Sequence, residues 1–251
     1  MTITVGVLAV QGAFLEHLTL LRKAASHFGT DDTWFSFVEV RTSQELTRCD
    51  ALIIPGGEST TISLVAARTD LLESLREFVK VERKPTWGTC AGLILLAEAA
   101  NSTKKGGQEL IGGLDVRVNR NHFGRQIESF QTDLDLPFLA EVDVPSTSFP
   151  GVFIRAPIVE KILANVEGAQ IEQQSVPDSV VAPSKQVRDE RARAATSAEK
   201  GAEVVVSDEA GDVIAVRQGN VFGTSFHPEL TDDIRMHVWW LQQVLAGTQR
   251  E

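Results

Sequence analysis

The chain has 251 residues, 43% of them hydrophobic, and a formal net charge of −10 at pH 7. This length and composition suffice for the core of a single domain, expected over 1–251, and the acidic balance argues against a nucleic-acid partner. No apolar run approaches the roughly 20 residues of a membrane span, and neither cysteine lies in a disulfide framework, so we expect a cytoplasmic protein without a membrane partner.

Strands and helices alternate along the first part of the chain. Apolar runs and amphipathic periodicity predict strands over 4–10, 35–40 and 51–54, and helices over 13–28 and 70–81. A further strand leads into Cys90. Such alternation is typical of a parallel sheet with helices on both faces, in which ligand sites lie at the carboxyl ends of the strands.

The later part of the chain is richer in strands. Short apolar runs predict them over 115–118, 152–154, 204–207, 213–217 and 221–225. A final helix is predicted over 232–245, with Trp239 and Trp240 packed inside. The predicted fold class is therefore α/β, three-layer and flavodoxin-like, with a mostly parallel central sheet, helices on both faces and a strand-rich second half.

Two segments interrupt this pattern. Over 170–201 the chain is polar, and its five lysines and arginines balance five acidic residues. This composition is typical of a mobile insertion or a solvated helix. A smaller insertion is expected around 133–150.

Cys90 lies in the pattern of a nucleophile elbow. An apolar approach, Gly88-x-Cys90-x-Gly92 and an unbroken apolar run predict a strand, a sharp turn and a helix. The glycines leave room for a strained turn and for close packing of helix on sheet. The N-terminus of a helix would also stabilise a thiolate here. The alternative is a small buried hydrophobic residue, as most free cysteines are.

His227-Pro228-Glu229 supplies an imidazole and a carboxylate. Pro228 disfavours a helical conformation at His227, so we predict an extended segment in which side chains two apart point the same way. Glu229 can then orient His227, which can exchange protons with Cys90, a leaving amine and water. Alone, the tripeptide also fits a surface turn; together with the elbow it predicts a Cys-His-Glu triad.

The strand over 51–54 runs into consecutive glycines, Gly56 and Gly57. Glycines can direct backbone N–H groups at a developing oxyanion, and the N–H groups of Gly57 and Ala91 are the candidate oxyanion hole. A tight strand-to-helix turn with Ser59 or Thr60 as N-cap is the structural alternative. Both interpretations can hold together.

Six segments together resemble a known family. They are 7–13 with Glu16-His17, 55–61, 88–93, 120–126, 151–157 and 225–230. In this order they are similar to the class I, triad-type glutamine amidotransferases, and among these to the glutaminase subunits of pyridoxal 5'-phosphate synthase. Gly-x-Cys-x-Gly and His-Pro-Glu are shared by many amidotransferases. Three strings are far more specific to the vitamin B6 branch: Gly-Gly-Glu-Ser-Thr-Thr, Asn-x-Phe-Gly-Arg-Gln and Phe-Ile-Arg-Ala-Pro.

The resemblance implies a role for each matched position. Cys90 would be the nucleophile, His227 the base and Glu229 the orienting acid. Glutamine would be held by the following residues: Gly57, Glu58, Ser59, Arg120, Ile154 and Arg155. Free glutamine is a zwitterion, so its carboxylate needs a cation such as Arg120 and its ammonium needs an acceptor such as Glu58. Without the resemblance, the two arginines would be assigned to solvated surface.

The implied reaction is hydrolysis of the side-chain amide of L-glutamine through a thioester on Cys90, releasing glutamate and ammonia. The family passes the ammonia to a separate synthase subunit, similar to a TIM barrel, that makes pyridoxal phosphate. The glutaminase of this family has little activity until it binds the synthase subunit, and Gln11 would lie at the contact between the two subunits. We expect no cofactor in this chain, and no metal site because its histidines and cysteines form no spaced cluster.

Two other functions remain open. One is a different thiol hydrolase on the same fold, such as a γ-glutamyl hydrolase or a cysteine peptidase. Glu58, Arg120 and Arg155 argue against it because they suggest a small zwitterionic substrate. The other is a non-catalytic partner subunit, against which the intact triad argues.

Overall fold

The computed structural model describes residues 2–28, 35–101, 108–120, 129–142, 148–164, 173, 175–176, 178–183 and 201–248. The α-helices are α1 Phe14–Ala25, α2 Ser43–Leu46, α3 Ser59–Arg68, α4 Leu71–Arg76, α5 Ala91–Leu96 and α6 Arg235–Thr248. The strands are β1 Ile3–Leu8, β2 Phe35–Val40, β3 Ala51–Ile54, β4 Thr86–Thr89, β5 Ala97–Asn101, β6 Leu114–Asn119, β7 Ser129–Asp135, β8 Ser148–Ile154, β9 Ile158–Ile162, β10 Ser179–Val181, β11 Glu203–Ser207, β12 Val213–Gln218 and β13 Val221–Thr224.

One large sheet runs through the molecule, and one half of it is entirely parallel. The strand order is β10-β5-β6-β9-β12-β13-β4-β3-β1-β2, with β11 beside β12. Strands β2, β1, β3, β4 and β13 pair in parallel, in the 2-1-3-4-5 order of flavodoxin-like folds. β3 and β4 are buried along their whole lengths, as expected of strands covered on both faces.

Beyond β13 the strands mostly alternate in direction. β12 is antiparallel to β13, β9 and β11, and β9 is antiparallel to β6. β5 and β6 pair in parallel, and β7 and β8 form a separate antiparallel hairpin. The prediction of a parallel sheet followed by a strand-rich second half is confirmed.

Helices cover both faces of the sheet. Side chains alternate across β3, so that Leu52 and Ile54 join the core beneath α3, α4 and α5, whereas Ile53 joins the core beneath α1 and α6. Trp239 and Trp240 lie in this second core, 3% and 2% exposed. The three layers and the packing of both tryptophans agree with the prediction.

The helix that follows Cys90 is short. It ends at Leu96, and the next residues form β5, which pairs with β6 through Ala97, Ala99 and Ala100. Alanine has little preference for strands, so pairing with a distant neighbour, rather than local sequence, makes this segment extended.

Two helix boundaries differ from the prediction. α4 ends at Arg76 and continues as a π-helical turn, Glu77–Val81. α6 begins at Arg235, because Asp233 Oδ1 accepts the Arg235 N–H at 3.0 Å and satisfies a donor at the start of the helix. None of the helices in the described ranges is long and apolar enough to cross a membrane.

Part of the predicted insertion is attached to the sheet. Of 170–201, the structure describes 173, 175–176, 178–183 and 201, and Ser179–Val181 pairs antiparallel with β5. Arg117 Nη1 donates to Ser179 Oγ at 2.7 Å and to Gln173 Oε1 at 3.3 Å. The remainder of the segment predicted to be mobile lies outside the described residues. The described part of 133–150 belongs mainly to the β7–β8 hairpin and the 3-10 turn between its strands.

Gly92→Ala tests the close packing of α5 on β3. A Cβ on Gly92 would lie 2.1 Å from the Ile54 carbonyl oxygen, and backbone cannot yield as a flexible side chain does. We expect the free energy of unfolding, measured by chemical denaturation, to fall by about 3 kcal/mol. Gly247→Ala is the control, because its Cβ would meet Pro85 Cγ at an ordinary 3.6 Å. An equal loss of unfolding free energy in Gly92→Ala and Gly247→Ala would contradict the close packing of α5 on β3.

Candidate active site

Cys90 lies on a strained turn between β4 and α5. Its backbone has φ 48° and ψ −98°, a region that a non-glycine residue keeps only where its surroundings enforce it. The Cys90 N–H donates to the Thr224 carbonyl at 2.7 Å, and a Cβ on Gly88 would lie 2.5 Å from the Gly92 carbonyl carbon. The strand, turn and helix predicted around Cys90 are all present.

His227 and Glu229 form a close buried pair. His227 Nδ1 lies 2.8 Å from Glu229 Oε1, and the residues are 6% and 4% exposed. The His227 N–H donates to the Val152 carbonyl at 2.8 Å, which attaches this segment to β8. Pro228–Leu230 is a 3-10 turn, and the prediction of an extended segment is wrong. The fixed φ of proline also suits the first position of a helical turn.

The proton on His227 is held by two partners. Burial disfavours the imidazolium, but hydrogen bonds with Cys90 and Glu229, together with their charges, outweigh it and raise the pKa of His227 to about 10. The structure therefore brings the sulfur, the imidazole and the carboxylate together in the order of a nucleophilic triad.

The glycine turn after β3 closely approaches this pair. A Cβ on Gly56 would lie 2.3 Å from His227 Cε1. The Gly56 N–H donates to Thr89 Oγ1 at 2.9 Å, and its carbonyl accepts the Ala13 N–H at 3.0 Å. Because N–H and C=O point in opposite directions across a trans peptide, the Gly57 N–H faces away from Ala13.

Gln11 is bonded to the same turn. Its Oε1 accepts the Glu58 N–H at 2.8 Å. A Cβ on Gly57 would lie 2.5 Å from that oxygen, so the two chain segments are in close contact. The residue predicted to meet a partner therefore holds the turn predicted to contribute to the oxyanion hole.

Glu58 is the N-cap of α3, the role that sequence analysis gives to Ser59 or Thr60. Its carboxylate accepts the N–H groups of Thr60 at 3.3 Å and Thr61 at 2.9 Å. Burial opposes ionisation of this group, but hydrogen bonds from the two threonines lower the pKa of Glu58 below its ordinary value. The N-terminal end of α3 therefore carries a negative charge at neutral pH.

Arg120 reaches the start of α3 from the end of β6. It is 8% exposed, and its Nη2 donates to Ser59 Oγ at 3.0 Å and to Thr60 Oγ1 at 3.1 Å. Burial lowers the pKa of Arg120, and the charge of Glu58 opposes that shift. A guanidinium and a carboxylate thus lie at the same helix end, as the prediction of a zwitterion pocket requires.

Ile154 and Arg155 differ in what they bring to this site. The Ile154 carbonyl oxygen lies 4.0 Å from Cys90 Sγ. Arg155 has φ 45° and is exposed, and its side chain forms no ion pair with a residue that the structure describes. The backbone of Ile154, rather than the guanidinium of Arg155, is the group near the sulfur.

Two histidines behind the triad were not predicted to take part in the site. His17 and His237 are both 0% exposed. His17 Nδ1 lies 3.0 Å from His237 Nε2, and His17 Nε2 lies 3.4 Å from Glu229 Oε2. For His17 two signals exist: Glu16-His17 belongs to the segments that carry the resemblance, and helical periodicity places His17 on the buried face of α1 beside Leu18 and Leu21.

Some predicted features cannot be placed. Residues 121–126 of the matched segment 120–126, including His122, lie outside the described residues. Within the described part of the chain, no group of three or more His, Cys, Asp or Glu residues could hold a metal ion.

The two cysteines are both unpaired and differ in setting. Cys49 immediately precedes Asp50 and β3, is 0% exposed, and burial raises the pKa of its thiol to about 11. Cys90 follows β4, which is parallel to β3. The two thiols therefore lie at opposite ends of the parallel strands.

Comparison with known proteins gives matches along the whole chain. A model of the SNO glutamine amidotransferase family matches residues 7–189 and 187–246. The probable pyridoxal 5'-phosphate synthase subunit PDX2 of Arabidopsis thaliana is 43% identical over 242 residues, which cover 95% of this chain and 85% of that protein. The pyridoxal 5'-phosphate synthase subunit SNO1 of Saccharomyces cerevisiae is 39% identical over 247 residues, 97% of this chain and 93% of that protein.

A solved structure gives the same result for the fold. A crystal structure of a glutamine amidotransferase is 34% identical, with a TM-score of 0.66 over 96% of this chain and 98% of the other. Its similarity extends over both the parallel and the mixed halves of the sheet.

Cys90→Ala tests how the proton on His227 is held. The variant removes a hydrogen bond and a charge that raise the pKa of His227, so an NMR titration should give a value well below the wild-type value of about 10. Cys49→Ala, which removes the other thiol, should leave the titration unchanged. An unaltered titration in Cys90→Ala would refute the coupling.

The same shift predicts how stability depends on pH. The folded pKa of about 10 exceeds the unfolded value near 6.5. Protonated His227 therefore stabilises the fold fully below pH 6.5 or so, and this contribution is lost as the pH rises through about 10. Denaturation at several pH values should show a shallower decline over this window in Cys90→Ala than in the wild type.

Proposed function

The chain belongs to the SNO glutamine amidotransferase family, and on that premise we propose that it hydrolyses L-glutamine and delivers the ammonia to a synthase subunit that makes pyridoxal 5'-phosphate. The observation that carries the proposal is the buried His227–Glu229 contact of 2.8 Å beside a cysteine on a strained turn. An oriented imidazole next to a thiol is what amide hydrolysis through a thioester needs.

In the first half of the reaction Cys90 is the nucleophile. Its sulfur attacks the side-chain amide carbon of glutamine, while His227 holds the proton of the thiol. The C–N bond then breaks, His227 gives the proton to the departing nitrogen, and ammonia leaves a glutamyl thioester on Cys90. Glu229 keeps the imidazole oriented and stabilises its charged form.

The second half of the reaction returns the enzyme to its starting state. His227 removes a proton from water, whose oxygen attacks the thioester carbon. The C–S bond breaks and glutamate is released. In both halves the developing oxyanion is stabilised by the N–H groups of Gly57 and Ala91. In the isolated chain Gly56 is bonded to Thr89 and Ala13, and these bonds hold the glycine turn in the orientation that docking changes.

The substrate pocket recognises a free amino acid. Arg120 binds the α-carboxylate, and Glu58 accepts from the α-ammonium, with Ser59 and the Gly57 backbone completing that end. Ile154 contributes its backbone and Arg155 lies at the rim. The support is that a buried guanidinium and an ionised carboxylate lie at the same helix end.

The partner is a synthase subunit similar to a TIM barrel. Gln11 lies at the contact, and because it accepts the Glu58 N–H, docking there can reorient the glycine turn. Residues 1–251 form one amidotransferase domain with an insertion at 170–201, which contributes β10 to the sheet. Two unpaired cysteines are consistent with a cytoplasmic location.

Glutamate release from glutamine tests the proposal. The wild-type chain should turn over slowly alone and much faster with the synthase subunit, because docking completes the oxyanion hole. Cys90→Ala should lower kcat by at least about a thousandfold, whereas Cys49→Ala should retain full activity. If the wild-type chain releases no glutamate from glutamine while the synthase subunit is bound, the proposal is wrong.

Arg120→Gln tests the charge recognition. Loss of a charge-assisted hydrogen bond of about 1.5–3 kcal/mol should raise KM for glutamine by roughly 10- to 100-fold, with a smaller change in kcat. Arg68→Gln, on the exposed side of α3, is the matched control and should leave KM unchanged. A KM within twofold of wild type in Arg120→Gln would contradict this role.

A further inference from the structure

The carboxylate of Glu229 has two oxygens in different surroundings. Oε1 is bonded to His227 Nδ1 at 2.8 Å. Oε2 is buried and makes no hydrogen bond to any residue that the structure describes. Burying a carboxylate oxygen without a donor costs free energy. With only Oε1 bonded, the carboxylate can also rotate about the Cγ–Cδ bond of Glu229. The imidazole of His17 is a nearby group able to donate, since its Nε2 is 3.4 Å from Oε2.

The tautomers of the two buried histidines can be assigned from the groups that face their ring nitrogens. His17 Nδ1 and His237 Nε2 lie 3.0 Å apart, so one donates and the other accepts. His237 Nδ1 has no hydrogen-bond partner among the described residues. If His17 donated from Nδ1, then His237 would carry its proton on this unpartnered Nδ1, and His17 Nε2 would direct a lone pair at a carboxylate.

The opposite assignment gives the buried carboxylate oxygen of Glu229 a donor. His237 donates from Nε2 to His17 Nδ1, and His17 carries its own proton on Nε2. That N–H faces Thr89 Oγ1 at 3.2 Å and Glu229 Oε2 at 3.4 Å. The lone pair of His237 Nδ1 and the hydroxyl proton of Thr89 are then left without partners in the described part of the chain, and these neutral groups cost less than a buried carboxylate oxygen without a donor.

Both histidines are neutral in this arrangement. Burial, followed by the nearby His237 and His227, keeps the pKa of His17 well below its ordinary value. Burial lowers the pKa of His237 to about 3, against an opposing effect of Asp233. A neutral His17 donates to Glu229 without competing as a cation with His227 for the carboxylate charge.

We propose that His17 is a positioning residue. Held in place by His237, His17 donates its own Nε2–H to Glu229 Oε2 and thereby fixes the carboxylate that orients His227. In the unliganded chain this donor is shared with Thr89, and it shifts towards Oε2 as the triad tightens around substrate. This inference rests on the proposed function for its effect on turnover. The effect on the reactivity of Cys90 does not depend on that function.

His17→Gln and His17→Asn form a matched pair of variants. The amide nitrogen of glutamine occupies the place of imidazole Nε2, whereas that of asparagine occupies the place of Nδ1 and faces His237 instead. With the synthase subunit bound, we expect His17→Gln to keep kcat within about threefold of the wild type. His17→Asn should lose about 10- to 100-fold in kcat, as expected for a hydrogen bond to a charged group, with KM within twofold.

Leu21→Ala separates positioning from stability. Leu21 is 0% exposed on the same helix, and its truncation destabilises the fold by about 2–5 kcal/mol. Leu21→Ala should lower the unfolding midpoint and leave kcat unchanged. Equal kcat values in His17→Gln and His17→Asn, or an equal loss in Leu21→Ala, would overturn the inference.

Alkylation of Cys90 by iodoacetamide provides a readout without glutamine. In the isolated chain at neutral pH, His17→Asn should be alkylated at least threefold more slowly than His17→Gln, because a misplaced Glu229 holds less charge on His227. If the wild type lacks glutaminase activity, the proposed function fails and this comparison still decides the inference. Equal alkylation rates would then overturn it.

Discussion

Backbone packed directly on backbone holds together the carboxyl edge of the parallel sheet. A Cβ on Gly12 would lie 2.1 Å from the Gly56 carbonyl oxygen, and one on Gly92 would lie 2.1 Å from the Ile54 carbonyl oxygen. The loop after β1 therefore touches the loop after β3, and α5 touches the end of β3, through main-chain atoms that have few alternative positions. The nucleophile, the glycine turn and the first loop therefore pack together as one unit, and the His227 segment lies against the glycine turn.

The sequence predicts those parts of the site whose geometry depends on near neighbours in the chain. The turn at Cys90 is specified by the glycines beside it, and His227 meets Glu229 because they are two residues apart. The 3-10 turn at Pro228 replaces the predicted extended segment without breaking that contact. The parallel half of the sheet likewise follows from the alternation of apolar runs.

Local sequence patterns do not reveal contacts between segments that are far apart in the chain. His17 and His237 are 220 residues apart, and nothing near either residue indicates that they meet behind the triad. The alanines of β5 become a strand through pairing with β6. Arg120 contacts Ser59 and Thr60, next to Glu58, and resemblance to a family, rather than periodicity or charge, pointed to it. Tertiary packing determines all of these contacts.

The placement of the two thiols bears on oxidative damage. Cys49 lies before β3 and Cys90 after β4, with the length of a strand between them, which exceeds the span of about 7 Å that a disulfide can bridge. The raised pKa of Cys49 also keeps it in the unreactive thiol form. A sulfenic acid formed on Cys90 therefore finds no resolving thiol in its own chain, and only a thiol from solution can return it to the reduced state.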